Sequence, residues 1–301
     1  MACRDRGNDR PLPGHVIVSG ASLTGPAASA GPWPVIQVRR PGAGCEPDAV
    51  LTNREVESFV VDGFVAIRGA VPADVLAACQ EVIWAELGKQ GVTSDPASWT
   101  EPVVRIATPE GGPFVAAGTQ TAVWEACDQL IGEPGRWWRR PGVGGTLPVR
   151  FPSERDPGDA GWHIEASYAG EDGGSRVNYR SRSRGLLALY LLSDVDEASA
   201  PTRIRPGSHW DAARVLTPAG DAGMPATEAG QAAAAATGHL PTVLATGQAG
   251  DVFLCHPFLV HAATWPHRGT GPRMVAQPGV ALHGQFPLTA PLSPVERAIA
   301  A

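Results

Sequence analysis

The chain has 301 residues, a formal net charge of −6 at pH 7 and a hydrophobic fraction of 43%. This length and apolar content suffice for one large domain with a substantial core. A nucleic-acid-binding protein usually presents a basic face, so the acidic balance argues against such a partner. No apolar run reaches the roughly eighteen residues that a transmembrane helix needs, so we expect no membrane partner.

Residues 1–50 are rich in Pro, Gly, Ala and Ser and show no sustained periodicity. This composition predicts a flexible or loosely packed extension ahead of a single domain at 51–301. The charged first ten residues have no apolar stretch behind them, so we expect no secretory signal. The five Cys are widely spaced without a C-x-x-C pair, which favours reduced thiols and a cytoplasmic protein.

Helices are predicted before the first chemically distinctive motif. Thr52, with Glu55 three residues later, has the pattern of a helix N-cap with a capping box. A second helix should follow Pro72, and a third should span about Thr119–Ile131, because apolar residues recur there at helical spacing. We expect these helices to pack outside a barrel whose strands occupy roughly 145–285.

The motif Trp162-His163-Ile164-Glu165 places an imidazole and a carboxylate two residues apart. In a β-strand, residues i and i+2 project from the same face. One strand can therefore offer both His163 and Glu165 to a single metal ion.

Two further segments follow this motif. Leu186–Leu192 is a continuous apolar run that predicts a buried strand. Residues 210–238 form an insertion that ends in an alanine-rich stretch of low complexity. This insertion is either a mobile lid or a surface excursion.

A third metal ligand is predicted in the apolar segment that follows Gly250-Asp251. His261 lies in this segment, on a strand that can neighbour the His163 strand, and His256 is an alternative. Two His and one carboxylate on one face of a metal form the facial triad of non-haem Fe(II) oxygenases, which leaves positions open for co-substrate and O₂. A structural zinc site would instead have a closed shell.

Arg273 follows a Pro- and Gly-rich turn that would bring the next strand back beside His261. Its guanidinium can hold a carboxylate through two parallel hydrogen bonds, as a dicarboxylate co-substrate requires. The only Lys, Lys89, lies far upstream in a predicted helix. We therefore expect an arginine clamp for the co-substrate.

Four stretches of the sequence, which together span most of residues 51–285, follow one another in the order typical of one enzyme family. They are 61–72, 162–165, 204–209 and 256–261, the last followed by Arg273. In these stretches the chain resembles the phytanoyl-CoA dioxygenase family of Fe(II)/2-oxoglutarate oxygenases.

The resemblance implies a mainly β fold with flanking helices, the double-stranded β-helix or cupin-like jelly-roll barrel. It implies iron bound by His163, Glu165 and His261, with 2-oxoglutarate anchored by Arg273 and O₂ as the oxidant. His261 rather than His256 keeps the family's position for the distal ligand.

The family also uses a hydroxyl near the distal His and an aromatic residue on a middle strand. Thr264 and Tyr190 are the nearest matches in this chain, and the resemblance implies that they contact the co-substrate. One departure is Glu165, since the family usually has Asp at this position.

The expected activity is hydroxylation, or another oxidation, of an unactivated C–H bond in a small organic substrate, with release of succinate and CO₂. Two alternatives stay open at the level of the sequence. One is a cupin-like metalloenzyme that does not use 2-oxoglutarate, and the other is a non-catalytic jelly-roll protein that only binds metal.

Overall fold

A computed structural model describes residues 49–301, so most of the predicted extension at 1–50 lies outside the described residues. The helices are α1 Asn53–Asp62, α2 Ala73–Gly88, α3 Pro113–Gly118, α4 Thr121–Ile131, α5 Ser208–Leu216, α6 Ala226–Ala236 and α7 Pro294–Ile299. The strands are β1 Phe64–Ile67, β2 Val103–Ala107, β3 Thr146–Arg150, β4 Tyr168–Ala169, β5 Ser175–Val177, β6 Arg184–Leu191, β7 Thr202–Ile204, β8 Met224–Pro225, β9 Val243–Ala245, β10 Val252–Cys255, β11 His261–Ala262, β12 Arg273–Ala276 and β13 Gly279–Ala281.

The predicted helices are confirmed. Local hydrogen bonds and a glycine explain where the first helix, α1, begins and ends. The Thr52 side chain accepts a hydrogen bond from the Glu55 backbone N–H at 3.3 Å, and the Glu55 carboxylate accepts one from the Thr52 N–H at 2.9 Å. α1 ends at Gly63, whose φ of 84° is left-handed and suits glycine. Across residues 49–301, no helix has both the length and the apolar character to cross a bilayer.

Antiparallel strands form two main sheets. The larger has the order β1-β10-β6-β12-β3-β2, with β13 also paired to β6, and the smaller has the order β11-β7-β9. This mainly β arrangement with flanking helices confirms the predicted double-stranded β-helix. The predicted barrel limits were too narrow, because β1 and β2 precede residue 145 and occupy the two edges of the larger sheet.

The central strand β6 separates two layers of core. Leu187, Leu189 and Leu191 pack between the two sheets, in one cluster with Ile204 of β7 and Phe253 of β10. The alternate residues of β6 face the helices instead, in a second cluster. This alternation is the period of two that a strand buried on both faces requires.

The insertion at 210–238 is structured. It contains most of α5, all of α6 and the short strand β8, which pairs with β5. A Cβ placed on Gly230 of α6 would lie 3.8 Å from the Cα of His163, which is ordinary van der Waals contact. The insertion therefore packs directly behind the metal-ligand segment, and its action as a lid stays a prediction.

The C-terminal helix α7 depends on a buried carboxylate. Glu296 accepts hydrogen bonds from the Arg136 guanidinium at 3.0 Å, the Leu288 N–H at 2.9 Å and the Ser293 N–H at 3.1 Å. Glu296→Ala would leave the Leu288 and Ser293 N–H groups without this acceptor and would remove the countercharge of Arg136, so we expect it to lower the free energy of unfolding by about 3–5 kcal/mol. Denaturant unfolding followed by circular dichroism measures this change.

Glu57→Ala is the matched control, because it removes an exposed carboxylate of α1 that pairs with Arg297 of α7. Its effect should be far smaller, since exposed ion pairs contribute little. Equal losses in the two variants would contradict the role of the buried Glu296 network.

Candidate metal centre and anion clamp

The structure brings the three predicted metal ligands together. His163, Glu165 and His261 each offer one ligand atom, and these atoms lie within 4.8 Å of one another. The Nε2 atom of His163 is 3.9 Å from the Glu165 carboxylate. Within residues 49–301 this is the one such group of three His, Cys, Asp or Glu side chains. The donor set suits a divalent transition metal with positions left open.

Backbone pairing places the two histidines opposite each other. The His163 N–H donates to the His261 carbonyl and the His261 N–H donates to the His163 carbonyl, both at 3.0 Å. Directly opposed residues of an antiparallel pair project to the same face. The predicted strand at 163–165 is reduced to this single bridge, and the Glu165 N–H bonds instead to the Pro257 carbonyl at 3.2 Å.

Both imidazoles are oriented for metal binding. The Nδ1 atom of His163 lies 2.9 Å from the Gly161 carbonyl, and that of His261 lies 2.9 Å from the Leu259 carbonyl. Since a carbonyl only accepts, each Nδ1 carries the hydrogen and each Nε2 presents its lone pair. Burial, reinforced by His163, lowers the pKa of His261 to about 3, so this imidazole is neutral near pH 7.

His256, the alternative distal ligand, is already engaged at both ring nitrogens. Its Nε2 lies 3.1 Å from the Val295 carbonyl, and its Nδ1 accepts from the Phe258 N–H at 3.1 Å. Neither nitrogen is free for a metal. The geometry therefore favours His261 over His256.

Arg273 is a buried cation with an incomplete set of partners. Its side chain donates to the Thr202 hydroxyl at 2.8 Å, while Nε has no hydrogen-bond partner among the described residues. Burial, together with Arg150, lowers the pKa of Arg273 to about 9, so it remains charged near pH 7. No carboxylate within the described range forms a salt bridge with it. An uncompensated buried charge is costly, so this cradle fits an incoming carboxylate.

The clamp and the metal ligands lie on one interior face. His261 is directly opposite Ile204 of β7, and Thr202 is two residues from Ile204 on the same face of that strand. Because Arg273 contacts Thr202, the clamp lies about 7 Å along the strand from His261. A short dicarboxylate such as 2-oxoglutarate can contact both places.

Two other residues, Thr264 and Tyr190, are predicted to contact the co-substrate. The Thr264 hydroxyl donates to the Pro201 carbonyl at 2.6 Å, so it is committed to the backbone. Thr264 nevertheless lines a cavity of about 10 Å³, the size of one water, together with Arg150 and His267.

The structure does not bring Tyr190 to the clamp. Tyr190 pairs directly with Ala276, which lies three residues from Arg273 along β12 and so on the opposite face of the sheet. It packs in the outer cluster with Cys127 of α4. The expectation that Tyr190 contacts the co-substrate is therefore corrected, because the strand's register turns it towards the helices.

Sequence reasoning missed a second buried arginine beside the clamp. Arg150 of β3 is directly opposite Arg273 of β12, and its guanidinium donates to Asp159 at 2.6 Å. His267 lies nearby with a buried Nε2 that has no partner among the described residues. An Arg at the end of the apolar strand β3 was the available signal, but only the register shows what it faces.

A stacked trio supports the metal segment from behind. The guanidinium carbons of Arg205 and Arg203 lie 4.1 Å and 4.8 Å from the centre of the Trp162 ring. Arg203 also donates to the Ala160 and Ala263 carbonyls, both at 2.9 Å, and so joins the segments that carry His163 and His261. These contacts fix the spacing of the two histidine-bearing segments.

Comparisons with known proteins agree with this geometry. Residues 59–275 match the family model described as phytanoyl-CoA dioxygenase (PhyH). No curated protein sequence matches the chain.

Solved structures with the same fold include three that are described with related chemistry. The non-heme alpha ketoglutarate dependent carbocyclase SnoK from nogalamycin biosynthesis is 18% identical, with a TM-score of 0.53 over 79% of this chain and 87% of that one. The epimerase SnoN, solved with Fe³⁺, alpha ketoglutarate and nogalamycin RO, is 20% identical, with a TM-score of 0.52 over 76% and 82%. EctD from S. alaskensis, solved with 2-oxoglutarate and 5-hydroxyectoine, is 20% identical, with a TM-score of 0.50 over 83% and 86%.

At these identities, the solved structures establish the fold alone. The family match goes further, because it spans all three predicted metal ligands and Arg273. The chain therefore belongs to the phytanoyl-CoA dioxygenase family, and it is a non-haem Fe(II)/2-oxoglutarate-dependent oxygenase.

Proposed function

We propose that this oxygenase hydroxylates, or otherwise oxidises, an unactivated C–H bond of a small organic substrate, with release of succinate and CO₂. We assign iron to His163, Glu165 and His261, and the far carboxylate of 2-oxoglutarate to Arg273. One observation carries the assignment: the triad shares one interior face with a buried arginine that has no carboxylate partner within residues 49–301. When bound, the iron supplies the activation of O₂ that no side chain can supply.

The residues of the chain bind and orient the reactants. The Nε2 lone pairs of His163 and His261 would hold the metal from one side, which leaves adjacent positions for the co-substrate. The side chains of His163 and Glu165 are 43% and 39% exposed, so the metal is approachable by a substrate from solvent. Arg273 is only 2% exposed, so water is excluded around it and its attraction for a carboxylate is stronger.

The type of oxidation at the substrate carbon is part of this proposal. Similar folds occur in proteins described as a carbocyclase and an epimerase, as well as in EctD with its hydroxylated ligand. Hydroxylation is the simplest oxidation compatible with the site. A cupin-like metalloenzyme without 2-oxoglutarate, or a protein that only binds metal, would give no reason for a buried Arg273 that has no carboxylate partner among the described residues.

We infer that the protein acts in the cytoplasm. Cys79, Cys127 and Cys255 are buried free thiols. Buried unpaired thiols are typical of a reducing compartment.

The metal assignment predicts the behaviour of His261→Ala. Metal-free protein titrated with Fe(II) without oxygen should bind one ion, and loss of this ligand should weaken binding by at least about 100-fold, because removing even supporting groups costs 10–100-fold. His239→Ala, which removes an exposed histidine, should bind as the unaltered protein does. Unchanged metal affinity in His261→Ala would remove His261 from the site.

The clamp assignment predicts the behaviour of Arg273→Ala. Loss of a charge-assisted pair worth about 1.5–3 kcal/mol should weaken 2-oxoglutarate binding by roughly ten- to a hundredfold. The measurement is the visible charge-transfer band that forms when 2-oxoglutarate is added to the Fe(II)-loaded protein without oxygen. Arg268→Ala is the matched control, because this exposed arginine pairs only with exposed Glu154. Equal affinities of Arg273→Ala and the unaltered protein would show that the clamp lies elsewhere.

A further inference from the structure

Two arginines lie face to face in the interior, and one carboxylate serves them. Arg150 and Arg273 are directly opposite each other on β3 and β12, and they are only 3% and 2% exposed. Within residues 49–301, Asp159 is the one carboxylate in a salt bridge with either. The interior therefore carries an excess of positive charge next to the metal ligands.

Asp159 accepts hydrogen bonds from two arginines, the buried Arg150 and the exposed Arg105. Its Oδ2 accepts from the guanidinium of Arg150 at 2.6 Å and also from that of Arg105. Its Oδ1 is buried and has no hydrogen-bond partner among the described residues. Asp159 lies close enough to act electrostatically on Arg273, yet it does not pair with it.

A protein carboxylate that reached Arg273 would compete strongly with a diffusing co-substrate. Its effective concentration at the clamp would be millimolar or more, since it is tethered to the same chain. The unpaired Oδ1 of Asp159 and the unpaired Nε of Arg273 are an acceptor and a donor that could meet.

We propose that Arg150 is a positioning residue that holds Asp159 away from Arg273 and so reserves the clamp for the dicarboxylate co-substrate. The proposal rests on the function proposed above. The NH2 group of Arg150 donates to Asp159, NH1 lies 3.5 Å from the Thr264 carbonyl, and Nε has no partner among the described residues. The ion pair with Asp159 is the contact through which Arg150 would act on the clamp.

A double-mutant comparison tests this role. 2-Oxoglutarate binding to the full chain loaded with Ni(II), which is redox-inert here, is measured by titration calorimetry. Arg150→Gln should weaken binding by about tenfold, because Asp159 then pairs with Arg273. Arg150→Gln combined with Asp159→Asn should restore affinity to within about threefold of the unaltered protein, because the competitor is gone. A double variant as weak as Arg150→Gln would overturn the proposal, since Arg150 would then contact the co-substrate itself.

Three further variants complete the test. Arg105→Gln, which removes the exposed second partner of Asp159, should leave affinity nearly unchanged. Arg150→Lys retains a cation for Asp159 and should do the same. Asp159→Asn alone should bind 2-oxoglutarate no more weakly than the unaltered protein. This variant gives a result even if Arg150→Gln does not fold. A tenfold loss in any of these three would overturn the proposal.

A crystal structure of Arg150→Gln without co-substrate gives a reading that does not depend on 2-oxoglutarate. Asp159 should form an ion pair with Arg273 there, and an unmoved Asp159 would overturn the proposal. Failure of the proposed function looks different. In that case the unaltered protein binds no 2-oxoglutarate, or Arg273→Ala binds it equally well, whatever position Asp159 takes.

Discussion

The site depends on one reciprocal pair of backbone hydrogen bonds, the two 3.0 Å contacts between His163 and His261. They bring two segments that are distant in sequence to a fixed separation, so that both imidazoles face the same space. Each ring is then locked by a carbonyl two residues earlier in its own segment. Arg203 adds a second link between the two segments, because it donates to the carbonyls of both Ala160 and Ala263. The ligand geometry is thus built into the backbone before any metal arrives.

The second organising element is electrostatic. A cation buried among apolar strands destabilises the fold unless an anion accompanies it. Within residues 49–301, only Arg150 of these two buried arginines forms an ion pair with a carboxylate. In the proposed function, a carboxylate ligand supplies the missing countercharge at Arg273, and the low dielectric constant of the interior strengthens its binding. The same imbalance makes the position of Asp159 important.

Local sequence patterns predicted well those features that local interactions decide. The capping box at Thr52 and Glu55 is an interaction within one turn, and it is present as expected. The three ligands could be found because their residue types are rare in apolar segments. The side of the sheet that Tyr190 faces could not be predicted, because it depends on the register between β6 and β12. The pairing of Arg150 with Asp159 was equally hidden, since a loop brings them together and no periodicity marks it.

The backbone at Glu165 departs from a regular antiparallel ladder. In a regular antiparallel ladder, the Glu165 N–H would bond to the Leu259 carbonyl, because residue 163 is opposite residue 261. That carbonyl is occupied by Nδ1 of His261, and the Glu165 N–H bonds to the Pro257 carbonyl instead. After His163 the chain therefore departs from regular pairing with the segment that precedes β11. From this backbone the Glu165 carboxylate lies within 4.8 Å of the imidazole ligand atoms.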